Sequence, residues 1–85
     1  MMIDRKVVCI TGRLPIPRRL ATELITKSGG VYAGHVSKYT DILVVGAFPR
    51  GMTSTAKYAV AIKWVARGYP IKLMSTDEFL TSVKL

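Results

Sequence analysis

Two short runs, Lys6-Val7-Val8-Cys9-Ile10 and Asp41-Ile42-Leu43-Val44-Val45-Gly46, are apolar at consecutive rather than alternate positions. A strand with one face in water alternates polar and apolar residues, whereas an unbroken β-branched run fits a strand covered on both faces, as in a parallel sheet. Parallel neighbours need a crossover between them. The chain supplies one after a loop punctuated by Pro15 and Pro17: from Arg18, Leu20, Leu24 and Ile25 recur at helical spacing until Gly29-Gly30, with Pro17 read as the first helical residue. A second helix is predicted over 55–67, capped by Thr53 or Ser54 and closed by Gly68. It is apolar over most of its surface and is expected to lie on the sheet, with Tyr58, Ala61, Ile62 and Val65 as core.

Val31-Tyr32-Ala33 and Pro70-Ile71-Lys72-Leu73 read as further short strands. Ser75-Thr76-Asp77-Glu78 is a capping box that opens a third helix, with Met74 and Phe79 at the two staple positions. The order β-α-β-β-α-β-α calls for an α/β domain with a largely parallel sheet, covered on both faces by right-handed crossovers. Val8, Ile10, Leu43 and Val44 are expected to be buried in central strands.

A chain of 85 residues has room for one domain, 1–85, and 49% hydrophobic residues suffice for a small core. The lone Cys9 excludes a disulfide framework and every multi-cysteine zinc motif, and its place in an apolar strand makes it a core residue rather than a nucleophile. No apolar run approaches the roughly 18–20 residues of a membrane span, and the start Met1-Met2-Ile3-Asp4-Arg5 lacks a signal peptide's apolar stretch. Met1 reads as a natural start, and the protein is expected to be soluble and intracellular.

Thirteen Lys and Arg against five Asp and Glu give a net charge of +8, which predicts an anionic partner, nucleic acid or phosphate first. Catalytic constellations are missing from the sequence. His35 has no second ligand at metal spacing. Gly46-Ala47-Phe48-Pro49-Arg50-Gly51-Met52-Thr53 has P-loop glycine spacing but Met52 where the lysine must stand. Asp77 and Glu78, the one close acidic pair, serve a helix N-terminus. No metal, no cofactor and no catalysis are therefore expected.

Arg18 and Arg19 open the first helix and Lys57 lies near the start of the second, where cations oppose the macrodipole by about 0.3–1 kcal/mol each at exposed sites. A bound anion would relieve that conflict. Thr11-Gly12, at the carboxyl end of a strand, could surround a phosphate with a hydroxyl and free N–H groups. A plainer reading, in which Thr11-Gly12 makes a tight strand exit and the cations are solvated, accounts for the spacing equally well.

Val8-Cys9-Ile10-Thr11-Gly12-Arg13-Leu14, the helix from Arg18 to Gly29-Gly30, Val36-Ser37-Lys38-Tyr39-Thr40-Asp41-Ile42-Leu43-Val44-Val45-Gly46 and Ser75-Thr76-Asp77-Glu78-Phe79-Leu80 together resemble the BRCT domain. The likeness is to the subgroup found in bacterial NAD-dependent DNA ligases and in the large subunit of replication factor C. The resemblance implies a four-stranded parallel sheet in the order 2-1-3-4, with the first and third helices on one face and the second on the other. It also implies binding of the 5′-phosphate of duplex DNA by Thr11, Gly12, an arginine opening the first helix and a lysine opening the second. Counting forward from Thr11 picks Arg19 as that arginine; counting back from Gly29-Gly30 picks Arg18, the register preferred here. The lysine falls at Lys57, within Ser54-Thr55-Ala56-Lys57.

Arg13, Arg19, Lys38 and Arg50 are candidate additional DNA contacts, while Arg67 and Lys84 are surface cations expected to help all duplex binding slightly. Many tandem phosphopeptide-binding members carry a tryptophan in the third helix, where this chain has Phe79, and Trp64 belongs to the second helix. The resemblance thus implies a non-catalytic module recognising 5′-phosphorylated DNA ends or nicks in replication or repair, free-standing or within a ligase or other replication enzyme. The alternative is a phosphopeptide- or protein-interaction module of the DNA damage response, with phosphoprotein or repair-protein partners. In a bacterium the location would be cytoplasmic and nucleoid-associated.

Overall fold

The computed structural model describes residues 3–83. Met1, Met2, Lys84 and Leu85 lie outside them, and with them the reading of Met1 as a start and of Lys84 as a surface contact. The elements are β1 (Val7–Thr11), α1 (Arg18–Lys27), β2 (Val31–Tyr32), β3 (Ile42–Val45), α2 (Ala56–Ala66), β4 (Lys72–Ser75) and α3 (Thr76–Ser82). All strand pairs are parallel, in the order β2-β1-β3-β4. The chain begins in the middle of the sheet, winds outward through α1 to β2, returns to β3 and winds the other way through α2 to β4. Winding therefore reverses between β1 and β3, and in such sheets the crevice beyond the carboxyl ends at that point is where ligands bind.

Alternate residues of β1 and β3 feed two cores, as expected of strands covered on both faces. Val8, Ile10, Ile42 and Val44 join Ala21, Leu24 and Ile25 of α1 and Phe79 of α3 in one cluster, and Cys9 and Leu43 join Ala61 and Ile71 in the other. Val8, Ile10, Leu43 and Val44 have no exposed surface. Met74 and Phe79 are both fully buried in the first cluster, which is the staple in place. Half of the capping box forms as read: the Ser75 hydroxyl accepts the Glu78 N–H at 3.1 Å, while the Glu78 carboxylate lies 3.5 Å from the Lys72 ammonium.

Several expectations are corrected. Pro17 is the N-cap of α1 rather than its first helical residue. Leu20 is 38% exposed, and the buried stripe of α1 runs through Ala21, Leu24 and Ile25 instead. The cap of α2 is Thr55, whose hydroxyl accepts the Tyr58 N–H at 3.2 Å, not Thr53 or Ser54. β4 begins only at Lys72, because the turn after α2 consumes Tyr69 and Pro70 before the chain reaches Ile42 of β3. Ile62 and Val65 are not core: each is 41% exposed, and α2 rests on the sheet through buried Ala61 with half-buried Tyr58 and Trp64. A helix crossing so small a sheet buries a single stripe.

Candidate anion-binding site

β1 and β3 leave the sheet side by side at the winding reversal, so their exits must pass very closely. Arg13 and Ala47 form an antiparallel bridge there, with Arg13 N–H to Ala47 carbonyl at 2.7 Å and the reverse bond at 2.9 Å. Gly12 has φ +77°, and a Cβ on it would lie 2.8 Å from the Gly46 carbonyl group. A Cβ on Gly46 would collide with the Arg13 carbonyl. Gly12 thus fulfils the plain reading as a strand exit, and Gly46 is its partner, missed in the sequence although it ends the second buried run as Gly12 ends the first. Gly46→Ala should cost about 1–3 kcal/mol by overpacking in urea denaturation. Gly34→Ala, with nothing within 4 Å of the added methyl, should be neutral or slightly stabilising.

Both exits lead into helices whose N-termini face this crevice. Along β1 successive carbonyls point to opposite sides, and that of Val8 accepts the Ala33 N–H at the end of the short β2. The Ile10 carbonyl, on the same side, lies beyond β2, and the Lys57 ammonium donates to it at 3.0 Å. Two residues on, the Gly12 carbonyl accepts from Arg18 Nη2 at 3.1 Å. Two cations from two helices thus converge on the carboxyl end of one strand and the turn that follows it. Thr11, only 4% exposed, pairs its hydroxyl with that of the cap residue Thr55. The Thr11 and Thr55 hydroxyls thereby tie β1 to the start of α2, a role for Thr55 that the adjacent Ser54 concealed in the sequence.

The site is electrostatically one-sided. α1 and α2 carry no acidic residue in their first turns, and α1 has no side-chain cap. Among the described residues the ion pairs are Arg19 with Glu23 and Lys72 with Glu78, so Arg13, Arg18, Arg50 and Lys57 have no carboxylate at pairing distance. Like charges gathered at one edge repel each other. An anion between them turns repulsion into attraction. Cys9, beneath this edge, has its thiol pushed up by burial while Lys57 and Arg18 pull the other way; it is a core residue. Among the described residues no His, Cys, Asp and Glu cluster could hold a metal.

Two clefts share the Gly12–Arg13 corner. One, of about 660 Å³, follows the loop through Pro15 and Pro17 to Arg18. The other, of about 540 Å³, is walled by Arg13, Ala47, Phe48, Pro49, Arg50 and Thr55. Of the sequence candidates, Thr11, Gly12, Arg18 and Lys57 are brought together, and Arg13 and Arg50 line the clefts beside them. Arg19 turns to Glu23 at 3.7 Å with its side chain 90% exposed, and Lys38 sits over the Tyr39 ring at 5.4 Å. Neither joins the cluster.

The family model described as the BRCA1 C Terminus (BRCT) domain matches residues 4–67, which include every residue of the cluster. A DNA ligase of Thermodesulfovibrio yellowstonii is 39% identical over 71 residues, covering 84% of this chain and 9% of the ligase. A DNA ligase of Roseiflexus sp. is 53% identical over 47 residues, 54% of this chain and 6% of the ligase. The chain spans less than a tenth of the length of these curated relatives. Among the described residues no helix is long and apolar enough to cross a membrane.

Proposed function

The chain belongs to the BRCT domain family, and from that premise we propose that it is a non-catalytic module capturing 5′-phosphorylated DNA ends or nicks, in replication or repair and in association with DNA ligation. The observation that carries this reading is the convergence of Arg18 and Lys57, unpaired by any described carboxylate, on the carbonyls of Gly12 and Ile10. A phosphate at that edge would draw both cations onto its oxygens through charge-assisted hydrogen bonds. The uncapped first turn of α1 offers it N–H donors. The paired Thr11 and Thr55 hydroxyls lie at the same edge, and the one that accepts within the pair keeps its proton for a phosphate oxygen.

Charge is what separates an end from the rest of the strand. A terminal phosphate monoester carries about −1.5 to −2 at pH 7, whereas each internal diester carries a single charge, so a two-cation cluster favours the end. Arg13 and Arg50 would add backbone contacts that position the duplex without reading its sequence. The exposed apolar flank of α2, with Ile62 and Val65, favours a second reading as a protein-interaction module in which the same cluster takes a phosphoserine. In either role the module works inside the cell, at the nucleoid in a bacterium.

Titration with 5′-phosphorylated duplex, the same duplex without the phosphate, and phosphoserine peptides tests this directly. The phosphorylated duplex should bind tightest at every salt concentration. With about four phosphates neutralised, all duplex binding should weaken about a hundredfold between 50 and 200 mM salt. A flat salt response, or tighter binding of a phosphopeptide, would remove DNA as the ligand.

A further inference from the structure

We propose that the cleft lined by Arg13, Phe48 and Arg50 receives the nucleoside of an unpaired 5′-terminal nucleotide, with its base against Phe48. This rests on the phosphate reading above, since the cleft opens from Gly12 and Thr55, beside the cations that would hold that nucleotide's own 5′-phosphate. At about 540 Å³ it falls within the size range of small-molecule sites and accommodates one nucleoside rather than a base pair. Its walls are mainly apolar, from Ala47, Phe48 and Pro49, with Arg13 and Arg50 also in the lining. An apolar floor with a cationic rim is the chemistry that binds a base and its adjoining phosphates.

Phe48 is set for this role by the fold. It packs edge to face on Tyr58 of α2, with ring centroids 5.5 Å apart and planes at 70°. Tyr58 is in turn anchored through its N–H on the Thr55 cap. Tyr58 engages at most one face of the Phe48 ring, which is half-buried. Arg13 and Arg50 have no carboxylate partner among the described residues, and a guanidinium can both stack on a base and bridge to the next phosphate. A base held in a duplex must leave its partner to enter, which costs least when it is mismatched or unpaired. The cleft thus makes the module selective for frayed or mismatched 5′ ends.

The test uses three 5′-phosphorylated duplexes that differ only at the terminal nucleotide, which is paired, mismatched or abasic, together with their unphosphorylated counterparts. The mismatched end should bind about tenfold more tightly than the abasic end, within the range that base stacking on an aromatic ring gives, with the paired end between them. Phe48→Leu, which keeps apolar volume, and Phe48→Ala should both abolish that difference while leaving the response to phosphate. Equal binding of mismatched and abasic ends, with the phosphate still mattering, overturns the cleft assignment and spares the phosphate reading. If phosphorylation changes nothing but the base effect persists and disappears in Phe48→Leu, the phosphate reading falls and the placing of a 5′-phosphorylated nucleotide falls with it, leaving Phe48 as a base contact alone.

Discussion

Phe79→Ala should lower the unfolding free energy by about 3–5 kcal/mol, the range for truncating a buried aromatic core residue. Phe79 has no exposed surface and is among the largest fully buried side chains. It joins α3 to Val8 and Ile10 of β1, Val44 of β3 and Met74 of β4 within one cluster. The opposite face offers little to compensate, because its buried residues are Cys9, Leu43, Ala61 and Ile71. At about 0.05–0.15 kcal/mol per residue, a domain of this size has only about 4–13 kcal/mol in all. The substitution should therefore lower the melting temperature by about 12–40 °C, at about 4–8 °C per kcal/mol. Urea unfolding followed by circular dichroism measures it, and a loss below about 1 kcal/mol would show that α3 stands outside the cooperative core.

The two-faced burial of β1 and β3 was legible because an unbroken apolar run has few other uses in a small domain. The strand order came from the family resemblance, since periodicity says nothing about which strands are neighbours. α2 was legible as a helix but not in its orientation: apolar residues nearly all round leave no contrast to point at the sheet, so Ile62 and Val65 read as core although water reaches them. Likewise the close passage of Gly12 and Gly46 is a tertiary fact, invisible until two strands far apart in the chain lie side by side. The cap of α2, expected at Thr53 or Ser54, falls at Thr55 in a Thr-Ser-Thr run, an ordinary ambiguity at helix ends. Counting back from Gly29-Gly30 chose Arg18 over Arg19, and the fold turns Arg18 to Gly12 and Arg19 to Glu23.

Arg18→Ala and Lys57→Ala should each reduce the preference for a 5′-phosphorylated over an unphosphorylated end by about 1.5–3 kcal/mol, the scale of a hydrogen bond to a charged group. The double substitution should erase it. The effect must appear in the ratio, not merely in affinity, because a +8 surface binds any duplex and a lost charge weakens all of them. Arg67→Ala supplies that baseline: Arg67 lies over the Trp64 ring at 5.4 Å and should weaken both duplexes slightly and equally. Arg18→Lys separates charge from geometry, since lysine keeps the cation but not the planar fork, and should fall between wild type and alanine. Lys57→Ala also releases the Ile10 carbonyl, so its stability is to be measured alongside binding. If Arg19→Ala abolishes the preference and Arg18→Ala does not, the helix register is the other one and the cluster survives with Arg19 in it. If neither arginine nor Lys57 changes the ratio, the two cations are solvated helix-start charges after all. The exposed flank of α2 then becomes the functional surface, and the module binds protein rather than DNA ends.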